Sequence, residues 1–190
     1  MKILKLFNEK NTFIFILAVI FILLIMSCTD RTGDKKSLNT KIHIPDSLSW
    51  SMRMAESEIY RRGDMLEYGR SNQKASWNYQ TGLFLKSLLD LWQKTGHDKY
   101  FDYSKQVIDS FIDQDGNIKT YDMSEYNIDN INPGKILLIL YRVTKEEKYK
   151  KAAFLLREQL DKHPRTKEGG FWHKKLYPNQ MKLVGTYMVL

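Results

Sequence analysis

The stretch Leu88-Leu89-Asp90-Leu91-Trp92-Gln93-Lys94-Thr95 returns 49 residues later (88 to 137) as Leu137-Leu138-Ile139-Leu140-Tyr141-Arg142-Val143-Thr144. The same offset carries Lys99-Tyr100 onto Lys148-Tyr149, Val107 onto Leu156 and Phe111 onto Leu160. Each copy reads as a leucine-rich helix, an aromatic residue, a threonine, and then Lys-Tyr at the head of a second helix. A repeat of this length means one supersecondary unit used several times, each burying its apolar face on the next. The unit is an αα-hairpin, and the fold class is all-α.

Working outward, the pattern beyond Pro45 is helical. Leu48, Met52, Ala55 and Ile59 share one face of a first helix ending near Arg61-Arg62-Gly63, where cations and glycine suit a C-terminus. A second helix runs through Leu83, Phe84, Leu88, Leu91 and Trp92 to about Gly96. A third runs through Tyr100, Tyr103, Val107, Phe111 and Ile112 and is halted by Asp113-Gln114-Asp115-Gly116. Asn132-Pro133 has the form of an N-cap with proline at the first helical position, opening a fourth helix. Thr144-x-x-Glu147 has capping-box spacing and is expected to open a fifth. The one strand signal is brief, at Asn117–Tyr121.

The N-terminus differs in kind. Lys2, Lys5 and Lys10 precede the uncharged run TFIFILAVIFILLIMS at 12–27, the arrangement of a secretory signal. The chain's single cysteine, Cys28, closes Ile25-Met26-Ser27-Cys28, which resembles a bacterial lipobox with Cys28 as lipidation site. The alternative is an uncleaved anchor helix; either way the expected location is the cell envelope, membrane-tethered and extracytoplasmic. The domain reading is therefore 1–27 signal peptide, 28–45 flexible tether and 46–190 hairpin domain. With one cysteine there is no intramolecular disulfide framework and no C-x-x-C pair for zinc or thiol chemistry. Lys+Arg 30 against Asp+Glu 22 gives +8, or +6 once residues 1–27 are removed (27 basic, 21 acidic). No polybasic run accompanies that charge, so nucleic acid is not the expected partner.

Four segments between helices carry more aromatic and polar groups than connectors need. They are Trp77-Asn78-Tyr79-Gln80, Tyr126 to Gly134, Pro164 to Lys175, and Tyr177 to Met181. Flat aromatic faces beside Asn, Asp, His and Arg suit a sugar, with its apolar face and polar rim. From about Trp77 to Met188 the chain resembles the unsaturated glucuronyl and rhamnogalacturonyl hydrolases, glycoside hydrolase families 88 and 105. The strongest strings are YNIDNINPG at 126–134, HPRTKEGGFWHK at 163–174 and YPNQM at 177–181. The resemblance implies a six-hairpin (α/α) barrel, of which this chain holds about the first half. It implies hydration of the 4,5-unsaturated uronic acid at the end of a lyase-generated oligosaccharide, with no metal or organic cofactor. It further implies Asp129 as an active-site carboxylate, and Trp77, Tyr79, Trp172 and His173 as substrate-binding residues. Arg165, Lys167, Lys174 and Lys175 are candidates for attracting the uronate, against the plainer expectation of a solvated basic loop.

One departure matters. Where the family reads Gln-Met-Trp-Leu-Asp-Gly-Leu-Tyr-Met, this chain reads Gln180-Met181-Lys182-Leu183-Val184-Gly185-Thr186-Tyr187-Met188. The family acid/base falls on Val184, which cannot move a proton, and its tryptophan falls on Lys182. The expectation is a truncated enzyme, inactive as written. The alternatives are a non-catalytic carbohydrate-binding lipoprotein and a decayed gene fragment. An open hairpin edge is also expected to favour self-association, because soluble monomers rarely expose large apolar patches.

Overall fold

The computed structural model describes residues 44–45, 47–63 and 76–189. The leader, Cys28 and nearly all of the tether lie outside the described residues. Among the described residues six helices follow one another: α1 (Trp50–Arg62), α2 (Tyr79–Thr95), α3 (Asp98–Phe111), α4 (Gly134–Thr144), α5 (Glu147–Lys162) and α6 (Leu183–Val189). Two 3-10 turns, Met123–Glu125 and Ile128–Ile131, lie between α3 and α4. No strand forms among the described residues. The expected strand at 117–121 is a single antiparallel bridge, Ile112 to Ile118, held by the Asp113 carboxylate accepting from the amides of Asp115 and Asn117.

Within each hairpin α2 packs on α3 and α4 on α5, while α2 also packs on α4 and on α1. Leu85, Leu88, Leu89, Ile108, Ile136, Leu137 and Leu140 are fully buried between them. The sequence repeat is also a repeat of hydrogen bonds. The Thr95 hydroxyl donates to Leu91 O (2.7 Å) and accepts from His97 N (3.4 Å). Thr144 does the same with Leu140 O (2.9 Å) and Glu146 N (3.2 Å). The aromatic recurs in role as well: Trp92 Nε1 donates to Asp98 and the Tyr141 hydroxyl to Glu147, each at 3.0 Å.

Two expected helix starts are corrected. Thr144 is the last residue of α4 rather than the cap of α5, whose N-cap is Glu146 with no side-chain cap bond. Its hydroxyl is already committed to the end of its own helix. Asn132 does not cap α4 either, since the N-cap position falls on Pro133. The preceding 3-10 turn leaves Asn132 at helical dihedrals (φ −52°, ψ −45°), whereas a capping residue needs an extended backbone to fold its side chain back. Asn132 is instead buried against α2, where a Cβ on Gly82 would lie 2.3 Å from its Oδ1.

Candidate active site

The 3-10 turn Ile128–Ile131 carries Asp129 at the mouth of α4. Asn127 Oδ1 accepts from Asp129 N at 3.1 Å and starts the turn. From below, Trp77 Nε1 donates to Asn130 O at 2.8 Å, and the Trp77 ring meets Phe111 edge-on at 6.0 Å. From the side, Ile128 N donates to His173 O (3.0 Å), His173 N to Gln180 O (2.6 Å) and Lys175 N to Glu125 O (3.1 Å). Segments distant in sequence are thus sewn into one surface by their backbones.

A buried polar relay fixes that surface to α5. Gln159 accepts from the Tyr121 hydroxyl at 2.8 Å and donates to Asn127 O at 3.1 Å and to His163 Nδ1 at 3.3 Å. His163 Nε2 then donates to Trp172 O at 2.8 Å. One neutral tautomer of His163 satisfies both bonds. Burial holds its pKa below the usual histidine range, with Arg165 adding to the effect against the pull of the Trp172 carbonyl.

The ionisable groups converge on His173. Its Nε2 lies 3.7 Å from Asp129 Oδ2 and 3.1 Å from Lys182 Nζ, while Lys174 Nζ lies 3.6 Å from the same Asp129 oxygen. Burial lowers the His173 pKa, Lys182 and Lys174 lower it further, and Asp129 opposes them. The imidazole is therefore neutral at neutral pH, and the Lys182 ammonium donates to Nε2. That leaves the ring proton on Nδ1, which is buried with no hydrogen-bond partner, as is Trp172 Nε1. Such a group in a native fold calls for an explanation.

Asp129 and His173 thus come together with Lys174, while Trp172, next to His173 in the chain, meets His163 and Pro164 through its backbone. Trp77 reaches them only through the Asn130 carbonyl: it is a buried core residue, not an open aromatic platform, because its indole is needed under the turn. Tyr79 is half-buried in the first turn of α2 and packs against the core. Val184 is exposed on α6, which packs on the Asp129 turn. Of the other basic residues, Arg165 is tied to Gly169 O and stacked on Phe171, and Lys175 faces the Tyr126 ring at 5.8 Å. The contact of Lys182 with His173 has no sequence signal, since the two meet across an irregular loop. Among the described residues no three His, Cys, Asp or Glu side chains are grouped to hold a metal ion. An apolar cavity of about 440 Å³ between α4, α5 and α6 is lined by none of the Asp129–His173 cluster.

The sequence profile of Glycosyl Hydrolase Family 88 matches residues 50–190. The fold is similar to that of a family 105 glycoside hydrolase from C. acetobutylicum ATCC 824, with 39% sequence identity and a TM-score of 0.65. The match covers 74% of this chain and 37% of that one. The αα-hairpins are those of an (α/α) barrel, and the chain belongs to glycosyl hydrolase family 88.

Proposed function

We propose that the Asp129 surface belongs to a glycoside hydrolase of the unsaturated uronyl type, and that this chain as written does not turn its substrate over. The observation that carries the first part is the convergence of Asp129, neutral His173 and Lys174. A carboxylate and a neutral imidazole can orient sugar hydroxyls and hold a water, and the nearby ammonium suits a uronate carboxylate. Hydration of a vinyl ether also needs a proton delivered to carbon, and that is the role of the family acid whose position Val184 occupies. Lys182 adds a second obstacle, because its ammonium sits on the His173 nitrogen that a substrate hydroxyl would use.

The test is a chimera. Residues 50–190 replace the matching part of the C. acetobutylicum enzyme, and turnover of lyase-generated unsaturated disaccharides is followed by loss of the ultraviolet absorbance of the conjugated double bond. The chimera is expected to be inactive with Val184 and active with Val184→Asp combined with Lys182→Trp, and Asp129→Asn is expected to abolish that gain. Turnover with Val184 in place would overturn the inactivity. A folded double variant that leaves the disaccharide intact would overturn the uronyl reading. The second reading, a carbohydrate-binding protein that does not cut, rests on the same missing acid. Calorimetric heat on titrating the natural chain with unsaturated or saturated disaccharides would favour it.

A further inference from the structure

His163 and His173 are both buried, and they are held in different ways. The His163 ring is pinned at both ends: Nδ1 accepts from Gln159 at 3.3 Å and Nε2 donates to Trp172 O at 2.8 Å, so a single neutral tautomer serves. The His173 ring is pinned at one end only. Its Nδ1 is buried with no hydrogen-bond partner among the described residues, so nothing on that side chooses between the two neutral tautomers. The choice falls to Nε2 alone.

Two neighbours make opposite demands on that nitrogen. The Lys182 ammonium, 3.1 Å away, has only protons to give and needs Nε2 bare. The Asp129 carboxylate, 3.7 Å away, can only accept and needs Nε2 protonated. The longer distance lies beyond ordinary hydrogen-bond length and the shorter one within it, so the folded chain sides with the lysine. Backbone bonds keep the two side chains in reach of each other. His173 N donates to Gln180 O at 2.6 Å, and Lys182 O accepts from Gly185 N at 2.8 Å where α6 begins. The other charge at this point is Lys174, which lies 3.6 Å from Asp129 Oδ2 and so pairs with the carboxylate rather than with the ring.

We propose that Lys182 is a positioning residue: it selects the Nδ1–H tautomer of His173 and so withholds the imidazole from Asp129. A residue at 182 that cannot donate releases Nε2 to carry the ring proton and give it to the carboxylate as a hydrogen bond. Lys182 is then an inhibitory contact built into the site, separate from the valine at 184. Its consequence for turnover rests on the uronyl reading above; the tautomer does not.

The experiment is NMR of the full chain with isotope-labelled histidine rings. Couplings from each ring nitrogen to the carbon-bound ring protons tell a protonated nitrogen from a bare one. At neutral pH the natural chain is expected to carry the His173 proton on Nδ1. In Lys182→Met the Nε2–H form should exceed the Nδ1–H form by about tenfold or more, the ratio set by one hydrogen bond to a charged acceptor. Lys182→Arg, whose guanidinium also only donates, should keep the natural tautomer. Lys182→Met combined with Asp129→Ala should leave a mixture of the two forms, because neither neighbour then demands one. Lys182 is exposed, so its replacement leaves the core intact, and His163, pinned at both ends, should keep its tautomer throughout as the sign that each variant is folded. A proton on Nε2 in the natural chain, or an unchanged tautomer in Lys182→Met, overturns the proposal. So does a Lys182→Arg ring that switches as Lys182→Met does, which would trace the change to packing rather than to the donated proton. A tautomer that switches as described, in a chimera whose repaired variants still leave the disaccharide intact, would overturn the uronyl reading and support this one.

Discussion

Replacing Gly82 with alanine sets two effects of opposite sign against each other at the joint between α2 and the Asp129 turn. Inside a helix alanine is favoured over glycine by about 0.8–1.0 kcal/mol. Here the added methyl would lie 2.3 Å from Asn132 Oδ1, 2.9 Å from Pro133 N and 3.1 Å from Pro133 Cα. The amide oxygen belongs to a buried side chain, and the two proline atoms are backbone, so neither side yields by rotating an exposed group. Relief requires the Asn132 contact of 2.3 Å to open by roughly 0.7 Å or more, and overpacking of this kind costs about 1–3 kcal/mol. Because two of the contacts are with backbone, the upper half of that range applies, and the net is a destabilisation of about 1–2 kcal/mol.

Thermal and urea unfolding followed by circular dichroism should therefore show Tm lower by about 4–8 °C. The turn that must move is the one whose Asn130 carbonyl accepts from Trp77, so the Trp77 indole N–H resonance should shift as well. Gly96→Ala is the control. It has a positive φ of 72° and nothing within 4 Å, so it should lose about 1 kcal/mol through backbone conformation alone, with the indole signal unmoved. A Gly82→Ala protein as stable as the natural chain, with an unshifted indole, would refute the contact and the route by which α2 supports the site.

Four further outcomes follow from the geometry. Burial holds the pKa values of both His163 and His173 below the usual histidine value. The unfolded chain therefore takes up those protons first, so stability is flat above about pH 6.5 and falls as pH drops toward the folded pKa values. Urea midpoints that are equal at neutral and mildly acidic pH would contradict this. Trp77→Phe leaves the buried Asn130 carbonyl without its donor and should cost about 1–3 kcal/mol in urea unfolding; a loss near zero would show that the indole bond does not hold the turn. Lys182→Gln removes a cation 3.1 Å from His173 Nε2, so the His173 pKa measured by NMR should rise; an unchanged value would mean the contact does not form in solution. Asp129→Asn exchanges only long contacts of 3.6 and 3.7 Å and should change stability by less than about 1 kcal/mol, and a loss as large as that of Trp77→Phe would make Asp129 a structural residue.

The hairpins were legible because the residues that specify them recur: leucines on one face, threonine at the turn, Lys-Tyr at the head of the second helix. The two misread helix starts show where such reading stops. Thr144 and Glu147 have the spacing of a capping box, and Asn132-Pro133 the form of a cap, yet each hydroxyl or amide can serve either of two neighbouring turns. At Thr144 the choice was made locally, by the end of α4 that claims its hydroxyl, and at Asn132 by the tertiary contact with α2 that buries it. Trp77 was legible as an important aromatic but not as a buried strut, because burial of one indole among several aromatics depends on which helix lies beneath it. The His173–Lys182 contact was not legible at all, since an irregular loop has no period to place one side chain against another.

Aligning the chain with itself also separates the polar residues the fold needs from those it does not. Asn78 and Asn127 are one repeat apart (78 + 49), and both accept from a backbone amide, Asn78 from Thr81 N three residues into the α-helix α2 and Asn127 from Asp129 N two residues into the 3-10 turn. That task is structural and is done twice. Two residues after each asparagine the copies part: the first has the exposed Gln80, the second Asp129, largely buried beside His173 and Lys174. Glutamine stands where Asn78 caps the α-helix α2 and aspartate where Asn127 starts a 3-10 turn, and in each copy the asparagine side chain, not the residue two positions on, makes the capping bond. The partners of Asp129 lie outside the repeat as well, since the positions one repeat before His173 and Lys182 are Ser124 and Pro133. A charge cluster with no counterpart in the other copy, whose partners lie outside the repeat, is not accounted for by the packing the two hairpins share. That is why the proposed function is attached to Asp129 and His173 and not to Trp77.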